Sequence, residues 1–251
     1  MTEPHRPLAV VTGGSSGIGL ALARQFSKHG FDLVLAAHGP EIHRVASELG
    51  AEPVEVDLAT ATGVRALHER LRHRPITVLT LNAGITARSD DLDRELELVD
   101  LNVRSLVHLA RLVTGEMAAR GRGRVLITAS IVEAFPGPNQ AAYHASKAFA
   151  RSFGIGLRHE LRDRGVSVTV LEPGATDTPI FEKADQDTTL LAGALPKDEP
   201  QDIAEQAFEA LMAGRETVVA ASITSKATHL VGKLIPDPIA ARVTGRLTKP
   251  R

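Results

Sequence analysis

The fold of this 251-residue chain is decided by residues 12–19, Thr12-Gly13-Gly14-Ser15-Ser16-Gly17-Ile18-Gly19. The apolar run Leu8-Ala9-Val10-Val11 precedes this stretch and predicts a buried strand. Apolar residues at helical spacing follow it from Gly17 to His29 and predict a helix that Gly30 ends. Glycines between a strand and a helix are typical of the turn that binds a dinucleotide pyrophosphate in a doubly wound sheet.

The residues of this turn have distinct expected roles. Gly13 permits the tight turn, Gly17 lets the backbone approach the phosphates, and Gly19 lets the helix lie close to the strand. The free N–H groups at the start of the helix would face the anionic phosphates. A structural turn that binds nothing is the alternative, but the strand-turn-helix context favours binding. We therefore assign the cofactor phosphates to this turn, including Ser15, Ser16 and Ile18.

The rest of the chain alternates strands with helices. We predict strands at 31–36, 53–56, 76–81, 124–128, 166–171 and 217–220, and helices at 40–49, 60–74, 92–120, 141–164 and 200–212. This order gives right-handed crossovers and one parallel sheet. We expect an α/β fold with a Rossmann-type, doubly wound parallel sheet of about seven strands and helices on both faces. The whole chain, 1–251, is expected to form one domain, with a lid at about 178–198 and a C-terminal extension at about 222–251. The extension is either short helices packed on a neighbour or a partly mobile tail.

The composition excludes several classes of function. The net charge is -1, with 29 basic and 30 acidic residues, which is unlike a nucleic-acid binder. The absence of cysteine excludes disulfides, thiolate catalysis and thiolate metal sites. The polar N-terminus lacks the apolar core of a signal peptide, and no apolar run is long enough to cross a bilayer. We expect a cytoplasmic protein with no metal, nucleic-acid or membrane partner.

Tyr143 and Lys147 lie four residues apart on a predicted helix and therefore share one face. A free phenol has a pKa of about 10, and a nearby ammonium favours the phenolate. We therefore expect Lys147 to lower the pKa of Tyr143 and make it a usable acid and base. Ser130 ends a strand thirteen residues earlier, where a sheet of this kind binds ligands, and it is expected to polarise a substrate carbonyl. Its alternative role is that of a simple turn residue.

These motifs together resemble the short-chain dehydrogenase/reductase family. The resemblance covers residues 8–220 and rests on the glycine turn, Asn82-Ala83-Gly84, Asn102, Ser130 with Tyr143 and Lys147, and Pro173-Gly174. It implies hydride transfer between a nicotinamide cofactor and a carbonyl or secondary alcohol. It also implies that Asn102, Ser130, Tyr143 and Lys147 are the catalytic set. A non-catalytic, dinucleotide-binding regulatory protein on the same fold is the alternative, and such proteins usually lack the Tyr or the Lys.

The resemblance further implies a set of cofactor contacts. Asn82 is expected beside the cofactor, although it is equally suited to bracing the sheet. Pro173 and Gly174 lie where the family orients the nicotinamide, and Asp57 where it contacts adenine. The full set outside the glycine turn is His38, Asp57, Leu58, Asn82, Ala83, Gly84, Tyr143, Lys147, Pro173, Gly174, Thr176 and Thr178.

Cofactor preference depends on the end of the second strand. The family's acidic residue at the adenosine ribose is replaced by Ala37, so nothing there repels a 2'-phosphate. His38, with Arg44 or His43 nearby, is expected to bind that phosphate. We expect NADP(H) to be preferred, with NAD(H) possible because a neutral His is a weaker phosphate partner than Arg.

The substrate pocket is expected to include residues 131–140, which are mostly apolar near the site. This composition indicates a small-molecule ketone or secondary alcohol of moderate hydrophobicity. Glu133 is the polar exception, and it is either a specificity residue or exposed to solvent. A homodimer or homotetramer is expected through long helices with excess apolar and small residues: Ala148, Phe149, Phe153, Gly154 and Leu157.

Overall fold

The computed structural model describes residues 6–176, 197–222 and 235–247. Its strands are β1 (Leu8–Thr12), β2 (Asp32–Ala37), β3 (Glu52–Glu55), β4 (Ile76–Leu81), β5 (Gly123–Thr128), β6 (Val166–Leu171) and β7 (Thr217–Val218). Its α-helices in these ranges are α1 (Gly17–Lys28), α2 (Glu41–Leu49), α3 (Ala61–Leu71), α4 (Leu92–Val99), α5 (Leu106–Ala119), α6 (Ala141–Leu161), α7 (Pro200–Met212) and α8 (Asp237–Leu247). A π-helical segment covers Asp100–Ser105, and 3-10 turns cover Ile131–Ala134 and Arg162–Arg164.

The seven strands form one sheet in the order β3-β2-β1-β4-β5-β6-β7, and every pair is parallel. The prediction of a doubly wound, Rossmann-type α/β fold is confirmed. The chain leaves β1 toward β2 on one side, and β4 lies on the other side of β1. Such a reversal of strand order opens a crevice at the carboxyl ends of the strands, where ligands bind.

Two apolar clusters fill the space on either face of the sheet. Because side chains alternate along a strand, Val10 and Val34 contribute to one cluster, and Val11 and Leu35 to the other. Residues of α3, α5 and α6 complete the first cluster, and residues of α1, α2 and α7 complete the second. The sheet is therefore buried between two helical layers, as a continuous run of apolar strand residues requires.

Three boundaries differ from the predicted ones by more than one residue. Helix α3 ends at Leu71 rather than Arg74, because His73 takes a left-handed conformation with φ of 63° ahead of Pro75. Helix α6 ends at Leu161 rather than Arg164, because a 3-10 turn at Arg162–Arg164 follows it. The last strand pairs only over Thr217–Val218.

Among the helices of the described ranges, none has the length and apolar character needed to span a membrane.

Candidate active site

The glycine turn joins β1 to α1 at the carboxyl edge of the sheet. Gly13 has a φ of 67° and Gly17 a φ of 54°, both in the left-handed region that favours glycine. The N–H of Gly13 donates to the carbonyl of Ala36 at the end of β2, over 2.8 Å. Helix α1 starts at Gly17, its N-cap Ser16 makes no side-chain capping bond, and its first turn holds no acidic residue. The N–H groups at this helix start thus face no negative side chain of their own turn.

Gly19 is required by close packing rather than by backbone conformation. A Cβ atom at this position would lie 2.1 Å from the carbonyl oxygen of Gly13 and 2.6 Å from Nδ2 of Asn82. Helix α1 therefore presses against the turn and against the end of β4, which is the close approach expected of this glycine.

Asn82 braces three strands. Its backbone N–H donates to Oγ1 of Thr12 over 3.0 Å, and its Nδ2 donates to the carbonyl of Thr12 over 3.3 Å. Its Oδ1 accepts from the hydroxyl of Thr128 at the end of β5, over 3.2 Å. The N–H of Ala83 also donates to Thr12 Oγ1, over 3.1 Å. The bracing role of Asn82 is therefore present, and it ties β1, β4 and β5 together where the crevice opens.

Asn102 lies in the π-helical segment and is buried. Its Oδ1 accepts from the N–H of Ile85 over 2.9 Å, while its Nδ2 donates to the Ile85 carbonyl over 2.9 Å and to Ser146 Oγ over 3.1 Å. A Cβ atom on Gly84 would lie 3.1 Å from Asn102 Oδ1 and 3.6 Å from Nζ of Lys147. The amide thus fixes the chain after β4 against α6, beside the lysine.

Tyr143 and Lys147 lie together on the buried face of α6, with 5% and 7% of their surfaces exposed. Ser130, which follows β5, interacts with the Tyr143 hydroxyl and lowers its pKa slightly, and its Oγ also accepts from the N–H of Val132 over 3.4 Å, as its alternative turn role requires. Nζ of Lys147 donates to the carbonyl of Thr128 over 3.3 Å and lies 5.7 Å from the centre of the Tyr143 ring. The structure therefore brings together all four residues that the sequence singled out: Asn102, Ser130, Tyr143 and Lys147.

Burial dominates the electrostatics of this pair. It raises the pKa of Tyr143 to about 12, against a smaller lowering by the hydrogen bond with Ser130. It also lowers the pKa of Lys147 to about 8. The expectation of a lowered pKa for Tyr143 is wrong, because the net shift is upward. The reason is that burial disfavours the charged form of both groups.

The adenosine end of the crevice differs in detail from what was expected. His38 is exposed just after β2, and Ala37 lies beside Glu55 of β3. Nε2 of His43 is 3.0 Å from a carboxylate oxygen of Glu55. The Arg44 guanidinium is bonded to two carboxylates of its own helix, Glu41 and Glu48. His43 and Arg44, which were expected to lie near His38 and help it bind a 2'-phosphate, are therefore both paired with carboxylates. His38 remains as the basic group at the end of β2.

Asp57 and Leu58 follow β3. Asp57 Oδ1 accepts from the N–H of Ala59 over 2.9 Å, so this carboxylate shapes the local turn. Leu58 is buried and lines, with Thr12, Asn102 and Lys147, a small cavity of about 20 Å³.

The segment after β6 packs against the segment after β5. The carbonyl of Pro173 accepts from the N–H of Ile131 over 3.1 Å, next to Ser130. Gly174 donates to Ala220 over 3.2 Å, and the Thr176 hydroxyl donates to the Gly174 carbonyl over 2.8 Å. Thr178 and almost all of the expected lid, through residue 196, lie outside the described residues.

Glu133, Arg151 and Glu172 form a set of ion pairs that the sequence did not reveal as a unit. Nε of Arg151 lies 3.1 Å from Glu172 and 3.6 Å from Glu133. The two carboxylate side chains are 2% and 8% exposed, so Glu133 is not the solvent-exposed residue that was one of its two expected roles. A signal did exist, because Arg151 continues the spacing of Tyr143 and Lys147 by one more helical turn.

The C-terminal extension was expected to be either short helices packed on a neighbour or a partly mobile tail, and its described part forms helix α8. Thr244 on α8 is buried, and its hydroxyl donates to the carbonyl of Pro136 over 2.8 Å. Gly245 approaches Pro138 closely enough that a Cβ atom there would be 3.3 Å from the proline ring. The same loop also contacts α6, where Nδ1 of His144 lies 2.9 Å from the carbonyl of Phe135. Part of the extension thus packs on the expected substrate loop of its own chain.

Metal chemistry has no support in the described ranges, where no group of three or more His, Asp or Glu side chains is placed to hold an ion.

Known proteins resemble this chain in sequence and in fold. The family model described as short chain dehydrogenase matches residues 7–189. A short-chain type dehydrogenase/reductase of Sinorhizobium fredii is 33% identical over 186 residues, which are 70% of this chain and 73% of that relative. A short-chain dehydrogenase from Sphingobium yanoikuyae in complex with NADPH has a TM-score of 0.79 at 27% identity, and the match covers 90% of this chain and 92% of that chain. A 3-ketoacyl-(acyl-carrier-protein) reductase from Brucella melitensis complexed with NADH has a TM-score of 0.76 at 26% identity, over 87% of this chain and 98% of that chain. The chain belongs to the short-chain dehydrogenase family, as the resemblance of its motifs predicted.

Proposed function

We propose that this oxidoreductase transfers hydride between a nicotinamide dinucleotide and the carbonyl or secondary alcohol of a small molecule, with Tyr143 as the proton donor and acceptor. The observation that carries the proposal is the burial of Tyr143 beside Ser130 and one helical turn from Lys147, whose Nζ lies 5.7 Å from the centre of the Tyr143 ring. This arrangement lies on the carboxyl side of the sheet, where ligands bind in folds of this class.

The glycine turn fits the pyrophosphate of such a cofactor. The left-handed glycines Gly13 and Gly17 keep side chains away from the approach to the backbone, and α1 begins there without an acid. The positive end of the helix then favours an anion. The neighbours solved with NADPH and with NADH support a dinucleotide of this class.

The protein's part in the reaction is proton transfer and positioning. The bound cofactor supplies or accepts the hydride at the carbonyl carbon. Ser130 donates a hydrogen bond to the carbonyl oxygen and so stabilises the negative charge that develops on it. Tyr143 delivers a proton to that oxygen, and its pKa of about 12 keeps the phenol protonated and ready to act as an acid at neutral pH.

Lys147 and Asn102 support this step in different ways. With a pKa of about 8, Lys147 is mostly an ammonium at neutral pH, and it stabilises the phenolate that Tyr143 becomes once its proton has left. Asn102 is a positioning residue, because its amide joins the Ile85 backbone to Ser146 next to the lysine. All four groups are retained, which disfavours the non-catalytic alternative.

Within this reaction class, NADP(H) is the preferred cofactor and NAD(H) a usable one. Ala37 offers no carboxylate to the adenosine ribose, and the exposed His38 is available to a 2'-phosphate. The substrate is a moderately hydrophobic ketone or secondary alcohol, because the loop it contacts is mostly apolar. The active form is a dimer or tetramer, an assignment supported by the exposed Phe149 on α6, stacked on Phe153 with ring centres 5.8 Å apart.

The reaction is tested with NADPH that carries deuterium at both hydrogen positions of C4, offered with a panel of hydrophobic ketones. We expect product alcohol with one deuterium on the carbinol carbon, in the amount of cofactor oxidised. Cofactor oxidation with the label recovered in water instead would overturn the proposed hydride transfer.

A further inference from the structure

A second concave site lies at the opposite edge of the sheet from the catalytic residues. It is a groove of about 950 Å³ formed by the starts of β4, β5 and β6, by the chain entering β1, and by the end of α6. The catalytic and cofactor residues follow the carboxyl ends of the strands, so the sheet separates this groove from them. Its volume is in the range of ordinary small-molecule sites.

The groove is strongly basic although the chain is not. Its lining residues include one acid, Glu216, whereas the whole chain has 29 basic and 30 acidic residues. The positive charge is therefore concentrated locally. Its basic lining residues are Arg6, Arg122, Arg124, Arg158, His159 and Arg162.

Part of this charge is fixed by structural contacts. Arg158 donates to the carbonyls of Val168 and Gly214 over 2.7 and 2.9 Å, and its Nε lies 3.7 Å from Glu216. His159 is 3.9 Å from the same carboxylate. The single acid of the lining is thus already shared by two basic groups.

Arg6 lies 3.5 Å from Asp32, and Arg124 donates to the carbonyl of Leu211 over 3.3 Å. Two arginines, Arg122 and Arg162, remain for a ligand. Arg122 is exposed and makes no ion pair with any described residue. Arg162 contacts the ring of His159 over 3.4 Å, with no carboxylate in the described ranges within ion-pair distance. A guanidinium carries five N–H donors in a planar fork, which suits the bidentate binding of phosphate oxygens.

Ser167, near the start of β6, gives an independent indication. It lines the groove, and its Oγ is buried without a hydrogen-bond partner among the described residues. An unpaired buried hydroxyl costs free energy that a partner would recover. A polar ligand in the groove would supply such a partner.

We propose that this groove binds a compact, phosphate-rich anion. The guanidinium groups of Arg122 and Arg162 provide its charge-assisted hydrogen bonds. The lining holds no Phe or Tyr ring on which a nucleobase could stack. The chemistry therefore favours a small polyphosphate over a nucleotide.

The test is calorimetric titration with inorganic pyrophosphate at low salt. The parent protein in this test is the Ser16→Glu variant, and every other variant carries the same substitution. The added carboxylate at the start of α1 repels anions from the glycine turn. We expect the parent to bind pyrophosphate and Arg122→Gln with Arg162→Gln to weaken binding at least about tenfold, as expected for lost charge-assisted hydrogen bonds. Each single substitution is expected to give part of this loss. The matched control, Arg24→Gln with Arg65→Gln, removes two exposed arginines elsewhere and is expected to leave binding unchanged. Absence of binding by the parent, or equal losses in the groove and control variants, would overturn the proposal.

Discussion

Nε of Arg151 lies 3.1 Å from Oε1 of Glu172, and the Glu172 side chain is 2% exposed. The same guanidinium reaches Glu133, whose side chain is also buried. Arg151 belongs to the helix that carries Tyr143, Glu133 follows Ser130 in the chain, and Glu172 immediately precedes Pro173. One arginine therefore fixes the relative positions of the three segments that form the candidate active site.

Replacement of Arg151 by Met should destabilise the fold strongly. Two buried carboxylates would lose their common cation, and breaking a buried ion pair typically costs about 3–5 kcal/mol. Arg72→Met removes a partner of Glu69 in an exposed pair and should cost less than about 1 kcal/mol. Urea denaturation at neutral pH compares the two variants. Equal free energies of unfolding would show that the Arg151 pairs contribute no more than a surface contact.

Stability should depend on pH through Lys147. Burial lowers its pKa from 10.5 to about 8 in the folded protein. Below pH 8 the folded and unfolded states are both protonated, and between pH 8 and 10.5 the unfolded state binds more protons. The free energy of unfolding of the wild type, relative to Lys147→Met, should therefore rise across this interval by up to about 3 kcal/mol.

Urea denaturation at a series of pH values measures this dependence. Lys28→Met replaces an exposed lysine of α1 and serves as the control, for which we expect a difference that stays flat with pH. If the difference between the wild type and Lys147→Met also stays constant with pH, the lowered pKa of Lys147 in the folded protein is contradicted.

Gly19→Ala should damage both stability and cofactor binding. The new methyl group would overlap the Gly13 carbonyl and Asn82, so α1 must move away from the turn. Gly115→Ala is the matched control, because it lies exposed within α5 with nothing within 4 Å of an added Cβ. It should stabilise the protein by about 0.5–1 kcal/mol through its helix propensity. Thermal denaturation with and without NADPH tests both variants. A Gly19→Ala protein that is as stable as the wild type and binds NADPH normally would refute the close-packing role of Gly19.

Cofactor preference should respond to the two residues at the end of β2. Ala37→Asp introduces a carboxylate that repels a 2'-phosphate, so the affinity for NADPH should fall relative to NADH. His38→Arg should act in the opposite direction, because a guanidinium is always charged and binds phosphate in a bidentate manner. Dissociation constants for both cofactors measure the change. A wild-type protein with equal affinity for the two would contradict the proposed preference for NADP(H).

The sequence predicted those parts of the fold whose conformation depends on residues near one another in the chain. Apolar periodicity predicted the strands and helices, and the glycine turn located the crevice because its left-handed residues Gly13 and Gly17 are adjacent to the strand and the helix that it joins. The helical spacing of Tyr143 and Lys147 likewise put both groups on one face. Each of these inferences needed only neighbours in the chain.

The features that escaped sequence prediction depend on distant contacts. The residues Glu133, Arg151 and Glu172 meet only after β5, β6 and α6 have packed. The helical spacing of Arg151 could therefore place it on the face of Tyr143 but could not identify its two carboxylate partners. The pKa of Tyr143 moves in the direction opposite to the expected one because burial outweighs the effect of a neighbouring charge. The contact of Thr244 with Pro136 spans 108 positions in sequence. Periodicity carries no information on contacts of this kind.

The role of Tyr143 in proton transfer is tested most directly by the Tyr143→Phe variant, with kcat/KM for ketone reduction and the dissociation constant of NADPH measured on the same preparation. Removal of the hydroxyl should lower kcat/KM by about 10²–10⁴-fold, the usual contribution of a general acid, while NADPH still binds. A variant that binds NADPH and keeps a kcat/KM close to that of the wild type would contradict the assignment of Tyr143 as the proton donor.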